Sequence, residues 1–419
     1  MSRNFETDPY PGKPKILFVG LGDSTHTHAW IDLLQGERFN VRLFSTSDAV
    51  PPNDWPARTY VTAYEHAPLD SATRATLHPS SGVLRFAKRN AARTFRIGLP
   101  AMVERWLATI IQKWRPDVIH TLGLESAGEY FFRVRRSFGL ESIGKWVLQL
   151  RGGSDLALSH LDPERRPAIG EVLRACDQLL SDNQQNFRIA QELGVRESQL
   201  SRIGTVPGTG GVDVDGQAAR WQGKPSERRV ILWPKVYEVA WSKALPVYEA
   251  LKMCWDRLQP CEVHMLAMTD EARMYYWTLP ETIRRGCRMS ERVPRSQALE
   301  AMTAARVLLA PSLVDGTPNS MFEAMAAGAL PIVSPLETIR AVVDERNVLF
   351  ARNLYPEEIS AALVRAMTDD ALVDAAAERN LELVREVADR AQVRRRVIAF
   401  YHQLASTNAP GLSGEKVAG

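Results

Sequence analysis

Two acids eight positions apart, Asp315 and Glu323, stand in the run VLLAPSLVDGTPNSMFEAMAAGALPIV, from Val307 to Val333. Gly316, Thr317 and Pro318 follow the first acid, and Asn319 and Ser320 come next. The pattern predicts a buried strand over Val307 to Ala310, an acidic loop, a short helix, and a second buried strand over Leu330 to Val333. Thr317 can cap the helix, Pro318 suits its first position and Gly328 its exit. The amides of Asn319 and Ser320 then fall in the first turn, where N–H groups lack intrahelical partners and attract anions. Glu323 lies about one turn deeper, and the small residues Ala324, Ala326, Ala327 and Gly328 allow close approach. An acid near a helix start is also favoured by the helix dipole alone. Together, a loop acid, free amides and a helix acid suit a ligand with hydroxyls to donate and phosphates to be held. That describes a nucleotide sugar.

Strands and helices in alternation must carry such a set, and the chain supplies the alternation twice. Lys15 to Gly20 (KILFVG) is a short apolar run of the buried parallel-strand type, ending in the loop GLGDSTHTH. A helix over Ala29 to Leu34 follows, then strands over Val41 to Ser45, Asp117 to His120, and Lys145 to Leu150. The last of these ends in the loop RGGSD, which holds Arg151, Gly152, Gly153 and Asp155. Short strands at Leu179 to Ser181 and Arg202 to Val206 flank a helix over Asn183 to Leu193. A Gly-rich polar stretch, roughly Gly208 to Arg229, reads as the interdomain linker.

The second alternation begins at Val230 to Trp233. Helix Leu245 to Leu258, strand Glu262 to Ala267, helix Ser296 to Ala304 and the two-acid run come after it. Long helices over Pro356 to Met367 and roughly Ala371 to Leu404 close the chain. The expected class is α/β, with two facing Rossmann-like domains and a cleft at the carboxyl ends of the strands. Expected boundaries are a flexible N-terminus at 1–14, a first, acceptor-binding domain at 15–215 and a linker at 216–229. A second, donor-binding domain at 230–384, a closing helix at 385–405 and a flexible tail at 406–419 complete the division.

On these residues the chain resembles the retaining glycosyltransferases of family 4 (glycosyl transferases group 1), which have the GT-B fold. In that family two Glu residues at this spacing flank a glycine-bearing loop; here Asp315 takes the first place and Glu323 the second. The resemblance implies that Asp315 and the stretch after it, Gly316, Thr317, Pro318, Asn319 and Ser320, hold the donor sugar and its phosphate. It assigns the ribose hydroxyls to Glu323. It also implies two cations early in the second domain that neutralise the diphosphate leaving group. ILWPKVYEVAWSKAL offers Lys235 at a strand end and Lys243 at a helix start, suited to the charge that develops as the glycosidic bond breaks. MSERVPRSQALEAM is similar to the family's strand and turn that present backbone to the base, making Arg292 and Val293 base-contact candidates.

In the first half, GLGDSTHTH is similar to the family's glycine loop followed by a His, matched by Gly20, Gly22 and His26. LRGGSD stands where many members have a His beside the reacting centre. Arg151 in that place cannot act as a base near neutrality. Its role is then electrostatic, holding phosphate or an acidic acceptor, or else pairing with Asp155. His120, at the end of its strand, faces the cleft in this topology.

Other chemistries find little support. GLGDST lacks the third glycine of the dinucleotide fingerprint, and His26 and His28 have no third partner for a metal. Cys176, Cys254, Cys261 and Cys287 show no C-x-x-C pair and read as reduced thiols. Asp213-Val214-Asp215 spells the D-x-D that binds metal in the other large glycosyltransferase fold, but it sits in the linker and reads as coincidence. No metal and no cofactor are expected; the nucleoside-diphosphate sugar is substrate.

The net charge of +3 hides a basic segment from Arg85 to Arg115, with eight Lys or Arg and one acid, Glu104. Its apolar residues, such as Phe86, Phe95, Ile97, Trp106 and Trp114, are interleaved with the bases. That suits a helix lying on an anionic membrane, or two amphipathic helices packed on a sheet with a solvated basic face. Nucleic acid is not expected, because one basic stripe without a recognised module is weak evidence. No apolar run approaches the roughly 20 residues that span a bilayer, and MSRNFETDPYPGKP is no signal peptide. The expected location is the cytoplasm, with peripheral contact at the inner face of the cell membrane on the membrane reading. Family habit adds a glycan or lipid-linked acceptor, in bacterial cell-surface polysaccharide or glycolipid synthesis. The rival readings are a nucleotide-sugar epimerase of the same fold and a noncatalytic nucleotide-sugar-binding protein.

Overall fold

Short apolar runs that are buried on both sides need helices on both faces, and the chain builds two such sheets. The structure, a computed structural model, describes residues 7–406 except 53–54, 63–73, 80, 95–98, 153–154 and 292. The Arg292, Gly153, Phe95 and Ile97 expectations, and the tail from 407 on, lie outside the described residues. The first sheet has seven parallel strands: β1 (Lys15–Gly20), β2 (Asn40–Ser45), β3 (Arg58–Thr62), β4 (Ala75–His78), β5 (Val118–Leu122), β6 (Lys145–Leu150) and β7 (Gln178–Ser181). Their order is β4-β3-β2-β1-β5-β6-β7. The second sheet has six: β8 (Val230–Trp233), β9 (Glu262–Met265), β10 (Cys287–Met289), β11 (Ala305–Ala310), β12 (Leu330–Val333) and β13 (Leu349–Phe350), in the order β10-β9-β8-β11-β12-β13.

In each sheet the strand order reverses next to the first strand, between β1 and β5 and between β8 and β11. Loops leaving the carboxyl ends of strands diverge at such a point and leave a crevice. The loop after β8 carries Lys235 and the loop after β11 carries Asp315. The topology therefore places those two residues together before any side chain is considered.

The strands expected at Lys15 to Gly20, Lys145 to Leu150 and Val230 to Trp233 match their observed bounds. The strand expected over Arg202 to Val206 is not formed. Gly204 takes a left-handed turn (φ +68°) there, and the backbone bonds to β7 come from the amides of Ser201 and Val206 on either side of it. The final helical run is two helices, Asp370–Val387 and Arg390–Ser406. At the break, Ala388 and Arg390 bond through their backbones to Val212, both at 2.8 Å. The last helix then crosses back to the first sheet, burying Val393, Val397, Phe400 and Tyr401 against Ile16 and Phe18.

The Gly-rich stretch before β8 is docked rather than loose. Trp221 packs against Gly328 and donates to the Ala326 carbonyl at 2.9 Å. Arg228 is buried and donates to the carbonyls of Ala305 and Ala327. In the basic segment, the Leu99–Trp114 helix sinks Leu107, Ile111 and Trp114 into the first core, as the sheet-packing reading requires. The preceding Gly82–Thr94 helix leaves Val83 and Phe86 exposed, at 80% and 62%.

Candidate active site

A cavity of about 390 Å³ opens between the two sheets, lined from the second domain by Lys235, Asp315, Asn319, Ser320, Glu323 and Arg295, and from the first by His26, Arg151, Gly152 and Asp182. Of the sequence candidates, Val293, Thr317 and Pro318 line it as well.

The second-domain wall follows from the strand–loop–helix unit. The helix spans Asn319–Ala326, one position later than the capping pattern predicts: Pro318 is the N-cap residue, in extended conformation and with no side-chain cap bond. Thr317 is drawn inward instead, its hydroxyl turned to the Thr338 carbonyl at 3.4 Å. The amides of Asn319 and Ser320 thus occupy the first two helical positions, where no intrahelical acceptor exists. The side-chain oxygen of Asn319 accepts from the Thr209 amide and hydroxyl (3.2 and 3.0 Å), which ties this helix start to the chain leaving the first domain.

Glu323 is buried, and a buried carboxylate needs a partner. Arg295 supplies it, donating from Nη2 and Nε to Oε1 at 2.6 and 3.2 Å. The sequence reading missed Arg295, although it opens the helix of the MSERVPRSQALEAM run. Asp315 accepts from the Gly316 amide at 2.8 Å. Burial holds its carboxyl above the ordinary range, against the Lys235 charge and that amide, which pull it down.

Asp182, at the end of β7, was also missed. It accepts from the Gly152 amide at 2.9 Å and from the Asn183 side chain at 2.7 Å. Burial, with the Asp315 charge as a lesser cause, pushes its carboxyl up to about 7. An acid just past a parallel strand was the one available signal.

Several expected site residues lie elsewhere. Gly316 does not line the cavity; it is where the domains meet. A Cβ there would stand 2.9 Å from both the Asp182 carboxylate and the Gly152 Cα, so only glycine permits the approach. Lys243 does not line it either. Its ammonium pairs with Glu238 at 3.1 Å, and Glu238 also accepts from the amides of Ala244 and Leu245 at the start of the next helix. Gly20 and Gly22 pack against Leu122 and Ser45, where a Cβ would sit 3.1 and 2.6 Å away, so they shape the first loop without reaching the cavity. His28 stacks on Trp55 and bonds the Gly22 carbonyl at 2.7 Å.

His120 does not face the cleft. It is fully buried beneath the last helix, its Nδ1 2.5 Å from the Tyr401 hydroxyl, and burial drives its pKa well down. Arg151 and Asp155 form no side-chain ion pair. Asp155 accepts backbone amides from Leu124, Glu125 and Arg151, and burial raises it to about 6. Asp213 caps its own short helix and Asp215 pairs with Arg385 at 2.9 Å, which leaves the D-x-D a local structural feature.

Comparison with known proteins agrees with this architecture. Residues 247–369 match the family model described as "Glycosyl transferases group 1". No curated protein sequence matches the chain significantly. Sucrose-phosphate synthase from Thermosynechococcus elongatus superposes with a TM-score of 0.67 at 14% identity, covering 94% of this chain and 100% of that one. Anabaena HepE, in complex with UDP and glucose, gives 0.64 at 13% identity over 92% and 98%. A structure described as trehalose-6-phosphate from E. coli, bound with UDP-2-fluoro glucose, gives 0.62 at 12% identity over 93% and 99%. The chain has the two-domain GT-B fold, and residues 247–369 within its second domain are similar in sequence to the glycosyl transferases of group 1.

Proposed function

We propose that this protein transfers a sugar from a nucleoside-diphosphate sugar to an acceptor hydroxyl, with retention of the anomeric configuration. The observation that carries this reading is the shared wall of one interdomain cavity: Asp315, the free amides of Asn319 and Ser320, Lys235 and Glu323. Two related folds hold UDP with a sugar or sugar analogue. The donor's diphosphate would lie at the helix start, its ribose hydroxyls on Glu323 and its sugar against Asp315.

As the bond from the anomeric carbon to the diphosphate oxygen breaks, negative charge grows on the leaving phosphate. The two amides and Lys235 are placed to stabilise it, and preorganised donors in a water-poor cleft are worth more than in water. The acceptor oxygen bonds to the anomeric carbon on the same face, and its proton passes to the leaving phosphate oxygen. In this reading Lys235 does the work of a cation and no metal or cofactor takes part. Family habit makes the acceptor a glycan or lipid-linked sugar of a bacterial cell surface, handled on the cytoplasmic side. The exposed Val83, Leu84 and Phe86, at the start of the basic segment, suit peripheral contact with an anionic membrane.

Product analysis tests the reaction. Donor should be consumed, with release of nucleoside diphosphate, only when an acceptor is present. Conversion of donor to an epimer without acceptor would replace this reading with the epimerase one.

A further inference from the structure

Arg151 stands just past the end of β6, on the first-domain wall of the cavity. Its Nε and Nη2, the two donors along one edge of the guanidinium, are out of solvent and have no hydrogen-bond partner. Nearby acids do not provide one. The Asp155 carboxylate is occupied by three backbone amides, at 2.8 Å from Leu124, 3.1 Å from Glu125 and 3.2 Å from Arg151 itself. Asp182 is occupied by Gly152 and Asn183.

Two residues back along β6, on the same face of the strand, Gln149 is fully buried with both amide atoms unpartnered. Nε2 of the buried His120 is unpartnered too. Among the described residues Arg151 forms no ion pair.

Buried polar groups are nearly always hydrogen-bonded, and an uncompensated buried charge is costly. Burial pulls the guanidinium down to about 10, which leaves it charged at neutral pH. Asp155 and Asp182 oppose that shift from a distance without bonding to the guanidinium, and its one unused planar edge matches the two oxygens of a phosphate or carboxylate. The donor's own diphosphate is accounted for on the opposite wall by Asn319, Ser320 and Lys235. We propose that Arg151 binds the glycosyl acceptor, and that this acceptor carries a phosphate or carboxylate group. The proposal rests on the transferase reading and adds the chemical class of the second substrate.

Calorimetric titration of the full chain, saturated with UDP, distinguishes the two. Glucose 6-phosphate, glucuronate and glucose serve as probes for phosphate, carboxylate and no charge. At least one anionic probe should bind about tenfold or more tighter than glucose. Arg151→Gln should abolish that preference, and Arg151→Lys, which keeps the charge but not the fork, should restore part of it. UDP affinity should stay within about twofold in both variants, because the donor wall is untouched; a folded variant is verified by that same UDP titration. The proposal is overturned if neither anionic probe outbinds glucose, or if Arg151→Gln leaves the preference intact. It is also overturned if the variant loses UDP affinity in proportion, which would put Arg151 on the donor. Failure of the wild-type chain to bind any nucleoside diphosphate would instead count against the transferase reading.

Discussion

Arg295 grips Glu323 with two donors on one carboxylate oxygen, Nη2 at 2.6 Å and Nε at 3.2 Å. The arginine sits at the start of one helix and the acid a turn inside another, so the bond fixes the acid's direction as well as its charge. Arg295→Ala leaves a buried carboxylate without its main partner. We expect a loss of about 1–3 kcal/mol in stability, read as a lower denaturant midpoint. Arg295→Lys should recover only part of it, and an unchanged midpoint in the alanine variant would show that the pair is idle.

The two lysines separate cleanly. Lys235 is exposed at the cavity and Lys243 is tied to Glu238. Lys235→Ala should lower turnover by about a hundredfold with little effect on folding. Lys243→Ala removes a partly exposed ion pair worth at most about 1 kcal/mol and should leave turnover nearly unchanged. Equal loss of rate in both variants, measured under saturating donor, would contradict the assignment.

How much was legible in advance depended on distance along the chain. Asp315, Asn319, Ser320 and Glu323 belong to one contiguous strand–loop–helix unit, so their spacing could be read locally. Arg295 and Asp182 complete the same site from segments 28 and 133 positions away from Glu323 and Asp315, and no local pattern announces them. His120 looked like a cleft residue because the helix that buries it arrives 281 residues later, through Tyr401. The half-buried strand β4 and the two-residue strand β13 lack the continuous apolar run that gave away β1 and β8. The helix register slipped by one because Thr317 had a tertiary partner, Thr338, that outcompeted its capping role.

Asp182 sets a pH dependence whose sign is fixed. Its carboxyl is pushed up to about 7 in the folded chain, whereas an unfolded Asp titrates near ~3.9. An acid with a raised folded pKa contributes most at low pH, and that contribution is lost as pH rises from about 4 to about 7. Asp315 and Arg151, whose charges act on it, remain in the variant, so the difference between proteins reports Asp182 together with its coupling to them. Across that window wild type should lose stability relative to Asp182→Asn. Parallel stability curves from pH 4 to pH 8 would rule the effect out.

The membrane reading rests on the exposed face of the Gly82–Thr94 helix. A Val83→Ser, Phe86→Ser double variant should reduce co-sedimentation with vesicles rich in phosphatidylglycerol while leaving turnover on a soluble acceptor unaltered. Wild-type protein that stays in the supernatant with such vesicles would remove membrane contact from the account.

Donor binding at the Asn319–Ala326 helix is the central claim, and calorimetric titration with UDP, GDP and ADP on wild type and Glu323→Ala tests it most directly. The account predicts that wild type binds at least one of the three and that the variant loses about tenfold or more in affinity for it. Equal affinity in the two proteins, or no binding of any diphosphate to wild type, would contradict it.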